Sequence, residues 1–190
     1  PLLQRDRAVF EHWTHDASAI DMANFPHWRL KMARDGARLA GHWQGIRRDD
    51  FTQKVDAVLR RVADHGDCTS SDVGEGEERG KGGWWDWHPS KTALEYLWRS
   101  GQLSVTRRDG FRKVYDLTER VIPQQYLNAR FSEDETIYWA CNAALDRLGF
   151  ATSGEIAAFW DIVTVAEARD WCAAAVARGK IMQINVTGAD

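Results

Sequence analysis

The sequence predicts a mostly α-helical fold with small β-hairpins. Residues 51–117 read in the order helix, short helix, helix and hairpin, which is the element order of a winged helix, a variant of the helix-turn-helix. The first part of this order recurs in residues 142–156, and a hydrophobic share of 44% suits a globular core. We therefore expect tandem winged-helix units.

The first 30 residues mix aromatic residues and histidines without a clean hydrophobic period. We expect a short strand near Ala8 to Trp13 and a helix that begins before Pro26 and continues to Met32. We interpret residues 1–30 as a connector that follows an N-terminal winged helix missing from this chain.

Residues 31–130 form the first predicted winged-helix unit. Its first helix covers residues 51–65, and Gly66 follows as a C-cap. The apolar residues at helical spacing in this helix are Phe51, Val55, Val58, Leu59 and Val62. The segment "DCTSSDVGEG" begins with capping residues and leaves room only for a short second helix before a glycine-rich loop.

Pro89-Ser90 opens the third helix of this unit, and Gly101 ends it. Its apolar stripe comprises Ala93, Leu94, Leu97 and Trp98. The segments "QLSVTRR" and "RKVYDL" then alternate apolar and polar residues around Asp109-Gly110, a dipeptide typical of tight hairpin turns. The sequence therefore predicts a β-hairpin with basic residues around its turn, which forms the wing of this unit.

Residues 131–190 form the second predicted winged-helix unit. "NAALDRLGFATSGEI" lies over "LRRVADHGDCTSSDV", so that Gly149 superposes on Gly66 and Thr152-Ser153 on Thr69-Ser70. An amphipathic helix then ends at Gly179, and an alternating strand follows it. We expect this wing to be truncated after one strand.

Charge is unevenly distributed along the chain. The net charge of −3 argues against a uniformly basic nucleic-acid-binding domain. Residues 28–62 and 84–130 are nevertheless net basic, and residues 1–27, 63–83 and 131–190 are net acidic. A polyanionic partner bound on one face requires such a pattern, although a solvated, salt-bridged surface produces it too.

Several classes of protein are disfavoured. The chain has no Cys-x-x-Cys motif among its three cysteines, Cys68, Cys141 and Cys172. We therefore expect no disulfide framework and no cysteine-based metal site, and we expect a cytoplasmic location. No apolar run approaches the roughly 20 residues that span a bilayer, and we expect no membrane partner. We also expect no cofactor. Without an initiator methionine, the chain reads as a fragment that works with N-terminal and C-terminal segments of the same parent protein.

The candidate DNA-binding residues lie on the third helix and the hairpin. They are Lys91, Arg99, Arg107, Arg108, Arg112 and Lys113. Guanidinium groups bind phosphate bidentately, and cations that flank a tight turn project towards whatever the wing meets. Charged hairpin tips are also common solubility devices, and winged helices also mediate protein contacts.

Aromatic residues and histidines form two further clusters. Trp84, Trp85 and Trp87 either stack on exposed bases or anchor the long loop in the core, and we favour the core. His12 and His15 lie among acidic residues and Ser18, where metal ligation, a polar role in lining a site and plain structural hydrogen bonding are the alternatives. On a strand the two histidines face opposite sides, which disfavours a shared metal.

Two segments, "FEHWTHDAS" and "GWWDWHPSKTALEYLWRSGQLSVTRRDGFRKVYDLTERVIP", resemble the YcaQ/AlkZ-like DNA glycosylases. The resemblance covers most of residues 8–190. It implies stacked winged helices around a concave channel that binds duplex DNA. It also implies hydrolysis of N-glycosidic bonds, which removes bulky alkylated bases and unhooks interstrand crosslinks in DNA repair.

The resemblance assigns no catalytic residue here. The family's glutamine-x-aspartate or glutamine-x-glutamine motif lies in an N-terminal winged helix, before the point at which this chain starts. Gln4-Arg5-Asp6 matches those letters and Gln183-Ile184-Asn185 nearly does, but both lie in the wrong place. His12, His15 and Ser18 fall in a family motif expected close to the cleft.

The sequence thus leads to two hypotheses. The first is a DNA-binding winged-helix fragment of a DNA glycosylase-like hydrolase, catalytically incomplete by itself. The alternative is a winged-helix transcription regulator or protein-interaction module.

Overall fold

A computed structural model describes residues 2–14, 16–46, 51–74 and 89–185, with side chains throughout except at 42–46. The chain divides into two compact units, residues 1–130 (unit 1) and 131–190 (unit 2). The described residues are mostly α-helical, with two antiparallel sheets of two strands each. The predicted fold class, mostly α with small hairpins, is confirmed.

Unit 1 begins with a hairpin. Strand β1 (Val9–Trp13) is the strand predicted near Ala8, and it pairs antiparallel with β2 (Ala17–Asp21), which the sequence did not indicate. A 3-10 turn (Met22–Asn24) leads into α1 (Phe25–Ile46), which extends well beyond the expected end of this helix. Phe10 of β1 packs edge-on against Phe25 and Trp28, so residues 9–28 contribute to the core of unit 1.

Three helices follow in the predicted order. They are α2 (Phe51–His65), α3 (Ser70–Val73) and α4 (Pro89–Arg99). Helix α2 buries the expected apolar stripe, except that Leu59 is only partly buried, and Gly66 follows it with a positive φ of 85°. A reciprocal capping box between Thr69 and Asp72 starts α3. Buried apolar side chains of α2 and α4 form one core.

Strands β3 (Leu103–Asp109) and β4 (Arg112–Leu117) form the predicted hairpin. Asp109 pairs with Arg112, so the turn consists of Gly110 and Phe111, one residue later than Asp109-Gly110. An irregularity in the pairing at Thr106 separates the buried half of β3 from its exposed half. Cys68 adds an isolated antiparallel bridge to Tyr115, extending the edge of this sheet.

Gly101 allows α4 to end directly against α1. Its φ is 81°, and an ideal Cβ at this position would lie 2.5 Å from the Met32 sulfur. We expect Gly101→Ala to lower the free energy of unfolding by about 3 kcal/mol, since left-handed strain and overpacking each cost about 1–2 kcal/mol. Gly66→Ala is the matched control, because its φ is 85° but nothing lies within 4 Å of its added Cβ. Urea unfolding should show about 1 kcal/mol for the control, and equal losses would contradict the contact with Met32.

Two short helices close unit 1. These are α5 (Thr118–Val121) and α6 (Gln124–Asn128). The Thr118 hydroxyl donates to the Gly101 carbonyl oxygen at 2.7 Å and lies 2.9 Å from the Ser104 hydroxyl. The end of β4 is thereby tied to the end of α4.

Unit 2 contains α7 (Glu133–Leu148), α8 (Ser153–Trp160) and α9 (Val165–Ala177). Each begins with a capping box, and Gly149 ends α7 with a φ of 75°. The expected recurrence of a capped helix after a glycine is therefore observed. The strand expected after Gly179 is not observed. Residues 182–185 have no regular structure, and residues 131–185 contain no strand with which they could pair.

None of the helices in the described ranges combines the length and the apolar character needed to cross a bilayer.

Candidate nucleic-acid interface

The outer half of the β3–β4 hairpin brings four of the six predicted DNA-binding residues together. Arg107 pairs with Val114, Arg108 with Lys113, and Arg112 flanks the turn. The structure adds what the sequence did not show: most of these cations also contact acidic or aromatic side chains of unit 1.

Arg108 joins the hairpin to β1. Its guanidinium donates to both carboxylate oxygens of Glu11, with the shortest distance 2.6 Å from Nη2 to Oε2. The same side chain donates to the carbonyl oxygen of Phe111 at 2.9 Å. The hydrogen bonds to Glu11 raise the pKa of Arg108 above its ordinary value, so its charge is permanent.

Arg107 forms ion pairs with Asp67 and, at 3.4 Å, with Asp109. The hydrogen bond to Asp67 raises the pKa of this guanidinium. About a third of the Arg107 side chain remains exposed, as is the case for Arg108. Such exposed pairs contribute little to stability.

Lys113 and Arg99 contact buried side chains of unit 1. The Lys113 ammonium lies 3.3 Å from the centroid of the Trp98 ring, and burial lowers its pKa, partly offset by Glu95. Arg99 donates to Asp35 at 3.1 Å and is 14% exposed. Its guanidinium carbon lies 5.1 Å from the centroid of Trp13.

Asp35 of α1 is the centre of a second charged cluster. Its carboxylate lies 2.5 Å from Arg38, 3.1 Å from Arg99 and 3.7 Å from Lys31. Burial by itself would raise the pKa of Asp35, but these three cations outweigh burial and hold it below its ordinary value. Arg99 therefore has a structural partner that the sequence pattern could not reveal, because 64 residues separate the two.

Lys91 and Arg112 are exposed members of the predicted set. Lys91 lies in the first turn of α4 and Arg112 at the base of the hairpin turn, and both are exposed. Within the described residues, all six cations therefore interact with other groups of unit 1, and Lys91, Arg108 and Arg112 are the exposed ones.

His12 is buried within unit 1, with 1% of its surface exposed. Its ring lies between Trp28 and Trp98, and Nε2 is 3.2 Å from the Trp98 carbonyl oxygen. Since a carbonyl only accepts, Nε2 carries the proton. Burial lowers the pKa of His12 to about 4, so the ring is neutral at physiological pH. His12 therefore belongs to the interior and does not line a solvent-filled cleft.

The remaining residues that the sequence singled out are Ser18, His15 and three tryptophans. Ser18 is half-buried, and its hydroxyl lies 2.8 Å from that of Thr14. His15, Trp84, Trp85 and Trp87 lie outside the described residues. Within the described ranges, no group of three or more histidine, cysteine or acidic side chains is arranged to hold a metal ion.

Phe111 is the feature of this hairpin that the sequence pattern did not single out. It occupies the second position of the turn, and 98% of its surface is exposed. An apolar residue directly after Asp-Gly was the available signal, because a residue in a two-residue turn has no cross-strand neighbour to cover it.

Comparison with known proteins gives one family. The model of the family described as "DNA glycosylase AlkZ-like" matches residues 2–190, which span both units. No solved structure matches the chain. The family match agrees with the resemblance that "FEHWTHDAS" and the segment from "GWWDWHPSK" onwards carry.

Proposed function

The chain belongs to the AlkZ-like DNA glycosylase family, and on that premise we propose that unit 1 is a winged-helix module that binds duplex DNA through α4 and the β3–β4 hairpin. The family makes DNA the partner and DNA repair the process. The observation that carries the proposal is the hairpin itself, whose exposed end presents Arg112 beside the partly exposed Arg107 and Arg108.

The order of elements supports the winged-helix interpretation. Helices α2, α3 and α4 precede the hairpin, and Cys68, between α2 and α3, adds a bridge to Tyr115 of β4. This is the arrangement in which a third helix is presented to the major groove beside a β wing. Lys91 and Arg112, which are exposed, are then placed to contact phosphates. Arg107 and Arg108 connect the wing to Asp67 and Glu11.

Bond cleavage is not assigned to these residues. In the family's reaction, an N-glycosidic bond to a bulky alkylated or crosslinked base is hydrolysed, with water oriented by a glutamine-x-aspartate or related pair. The two letter matches in this chain do not supply that pair. Gln4 and Asp6 lie in an exposed turn where Asp6 pairs with Arg5 at 2.7 Å, and Gln183 and Asn185 lie in an exposed irregular segment. We therefore propose that residues 1–190 bind DNA but release little or no base by themselves.

Binding to a duplex at graded salt concentrations tests the module. We expect Lys91→Ala/Arg112→Ala to weaken affinity about tenfold at low salt and to reduce the slope of log affinity against log salt by about two, roughly one for each lost phosphate contact. Fluorescence anisotropy with a labelled duplex measures both quantities. The matched control is Arg178→Ala/Lys180→Ala, which removes two exposed cations from unit 2. Equal behaviour of the two double variants would contradict the proposed interface.

A transcription regulator is distinguished by sequence preference. Competition between unrelated duplexes should show similar affinities for the glycosylase-related module, because lesions occur in any sequence. One strongly preferred site would favour the regulator instead.

A further inference from the structure

Phe111 is more exposed than any other large apolar side chain in the described residues, at 98% against 81% for Met182. Single apolar residues on a surface are ordinary and need no explanation. This one differs by position, because it lies in the two-residue turn at the end of a hairpin.

The turn that carries Phe111 is held from two sides. Gly110 supplies the positive φ of 60° that the turn requires. Arg108 donates to the Phe111 carbonyl oxygen at 2.9 Å while its guanidinium is bound to Glu11 of β1. Lys113, opposite Arg108 in the hairpin, lies against Trp98 of the core. The ring is therefore presented to solvent on an anchored backbone and does not fold back onto the hairpin.

The surroundings of the ring favour a nucleic acid over a protein surface. Protein interfaces centre on clusters of apolar residues that exclude water. Here the hairpin residues next to Phe111 are charged apart from Gly110, namely Arg108, Asp109 and Arg112, and the ring is almost fully exposed. An isolated apolar side chain flanked by arginines is the arrangement with which DNA-bending proteins insert a wedge between base steps while cations hold the adjacent phosphates.

We propose that Phe111 inserts between adjacent base pairs of the bound duplex and stacks against a base exposed by the separation. The inference rests on the proposed DNA-binding role of the hairpin and specifies how the hairpin contacts the stacked bases of the duplex. Insertion is easiest where pairing is already weakened, so the ring should favour duplexes with a mismatch or a damaged base over intact duplexes.

The test uses residues 1–190 and a duplex with 2-aminopurine beside a mismatch. Wild-type protein should increase the 2-aminopurine fluorescence, because unstacking removes its quenching. Phe111→Ala should abolish most of this increase and weaken binding to the mismatched duplex about tenfold, as expected when one stacking contact is lost. Phe111→Trp should retain both. Phe150→Ala removes another exposed phenylalanine, 71% exposed in unit 2, and should match the wild type.

The outcomes separate this inference from the proposed module. Suppose that Phe111→Ala leaves affinity and fluorescence unchanged while Lys91→Ala/Arg112→Ala weakens binding: the wedge is then overturned and the DNA-binding hairpin stands, with the ring left for a protein contact. If the wild type binds no duplex, both proposals fail. If Phe111→Ala loses the fluorescence increase while Phe111→Trp and Phe150→Ala retain it, the wedge is supported.

Discussion

Trp98→Ala is expected to lower the free energy of unfolding of unit 1 by about 4 kcal/mol, the largest effect of any substitution considered. Truncation of a buried aromatic side chain costs about 3–5 kcal/mol, since the apolar surface is lost and the cavity is filled only in part. Trp98 is completely buried, which places it in this range.

The position of Trp98 explains why the cavity would not close easily. Its indole Nε1 donates to the Glu11 carbonyl oxygen of β1 at 3.1 Å, and its ring lies 5.4 Å from that of His12 on the same strand. From the other side, the Lys113 ammonium of β4 contacts the ring face. Trp98 therefore joins β1, α4 and the hairpin, and each would need to move to fill the space.

Urea unfolding, with hydrogen exchange of the α4 amides to report on unit 1, measures the loss. Trp98→Phe keeps most of the ring volume but removes the donor to Glu11, and we expect it to cost about 1–2 kcal/mol. Phe111→Ala is the control for an exposed aromatic residue and should leave stability unchanged. A loss below 1 kcal/mol for Trp98→Ala would mean that β1 and the hairpin do not depend on this ring.

The helices that carry this core follow from the sequence because each has a complete local signal. Val55, Val58 and Val62 recur at helical spacing, and Gly66 adopts the left-handed conformation that ends α2. Pro89 opens α4 in the same local way, and Gly101 ends it. Such elements are predictable since their determinants lie within a few residues of one another.

The charged contacts of the hairpin could not be predicted, because their partners are distant in the chain. Arg108 and its partner Glu11 are 97 residues apart, and Arg107 and Asp67 are 40 apart. A count of local cations treats all four hairpin charges as equivalent. The fold instead gives Arg107 and Arg108 carboxylates, places Lys113 on an aromatic ring and leaves Arg112 exposed at the turn.

The strand expected after Gly179 shows a different limit. Alternation in "KIMQINV" satisfies the local pattern of a strand, but a strand exists only when its backbone groups are paired. The wing in unit 1 succeeds because β4 follows β3 after two residues. Residues 131–185 offer no second strand, so alternation alone does not produce one.

Acidification is expected to destabilise unit 1 through His12. Burial lowers its pKa from the ordinary 6.5 to about 4 in the folded protein. Between these values the unfolded chain takes up a proton that the folded protein does not, so stability is full above pH 6.5 and is lost as the pH falls towards 4. The complete loss is about 3 kcal/mol, because each unit of pKa corresponds to about 1.4 kcal/mol.

Other groups near His12 act on this value in known directions. Lys31 of α1 lowers the pKa further, whereas Asp35 on the same helix raises it. Burial raises the pKa of Glu95, which favours the folded state on acidification and opposes the effect of His12. A difference between two variants is therefore needed to separate His12 from the rest of the protein.

His12→Asn provides that difference, because the amide can still donate to the Trp98 carbonyl but does not titrate. Urea unfolding should show that the free energy of unfolding of the wild type falls strongly from pH 7 to pH 4.5. The fall should be much smaller for His12→Asn, whatever the stability of this variant at pH 7. His65→Asn, at an exposed position at the end of α2, should keep the wild-type dependence. Identical slopes for the wild type and His12→Asn would mean that the ring reaches solvent and takes up its proton without unfolding, which is incompatible with its position between Trp28 and Trp98.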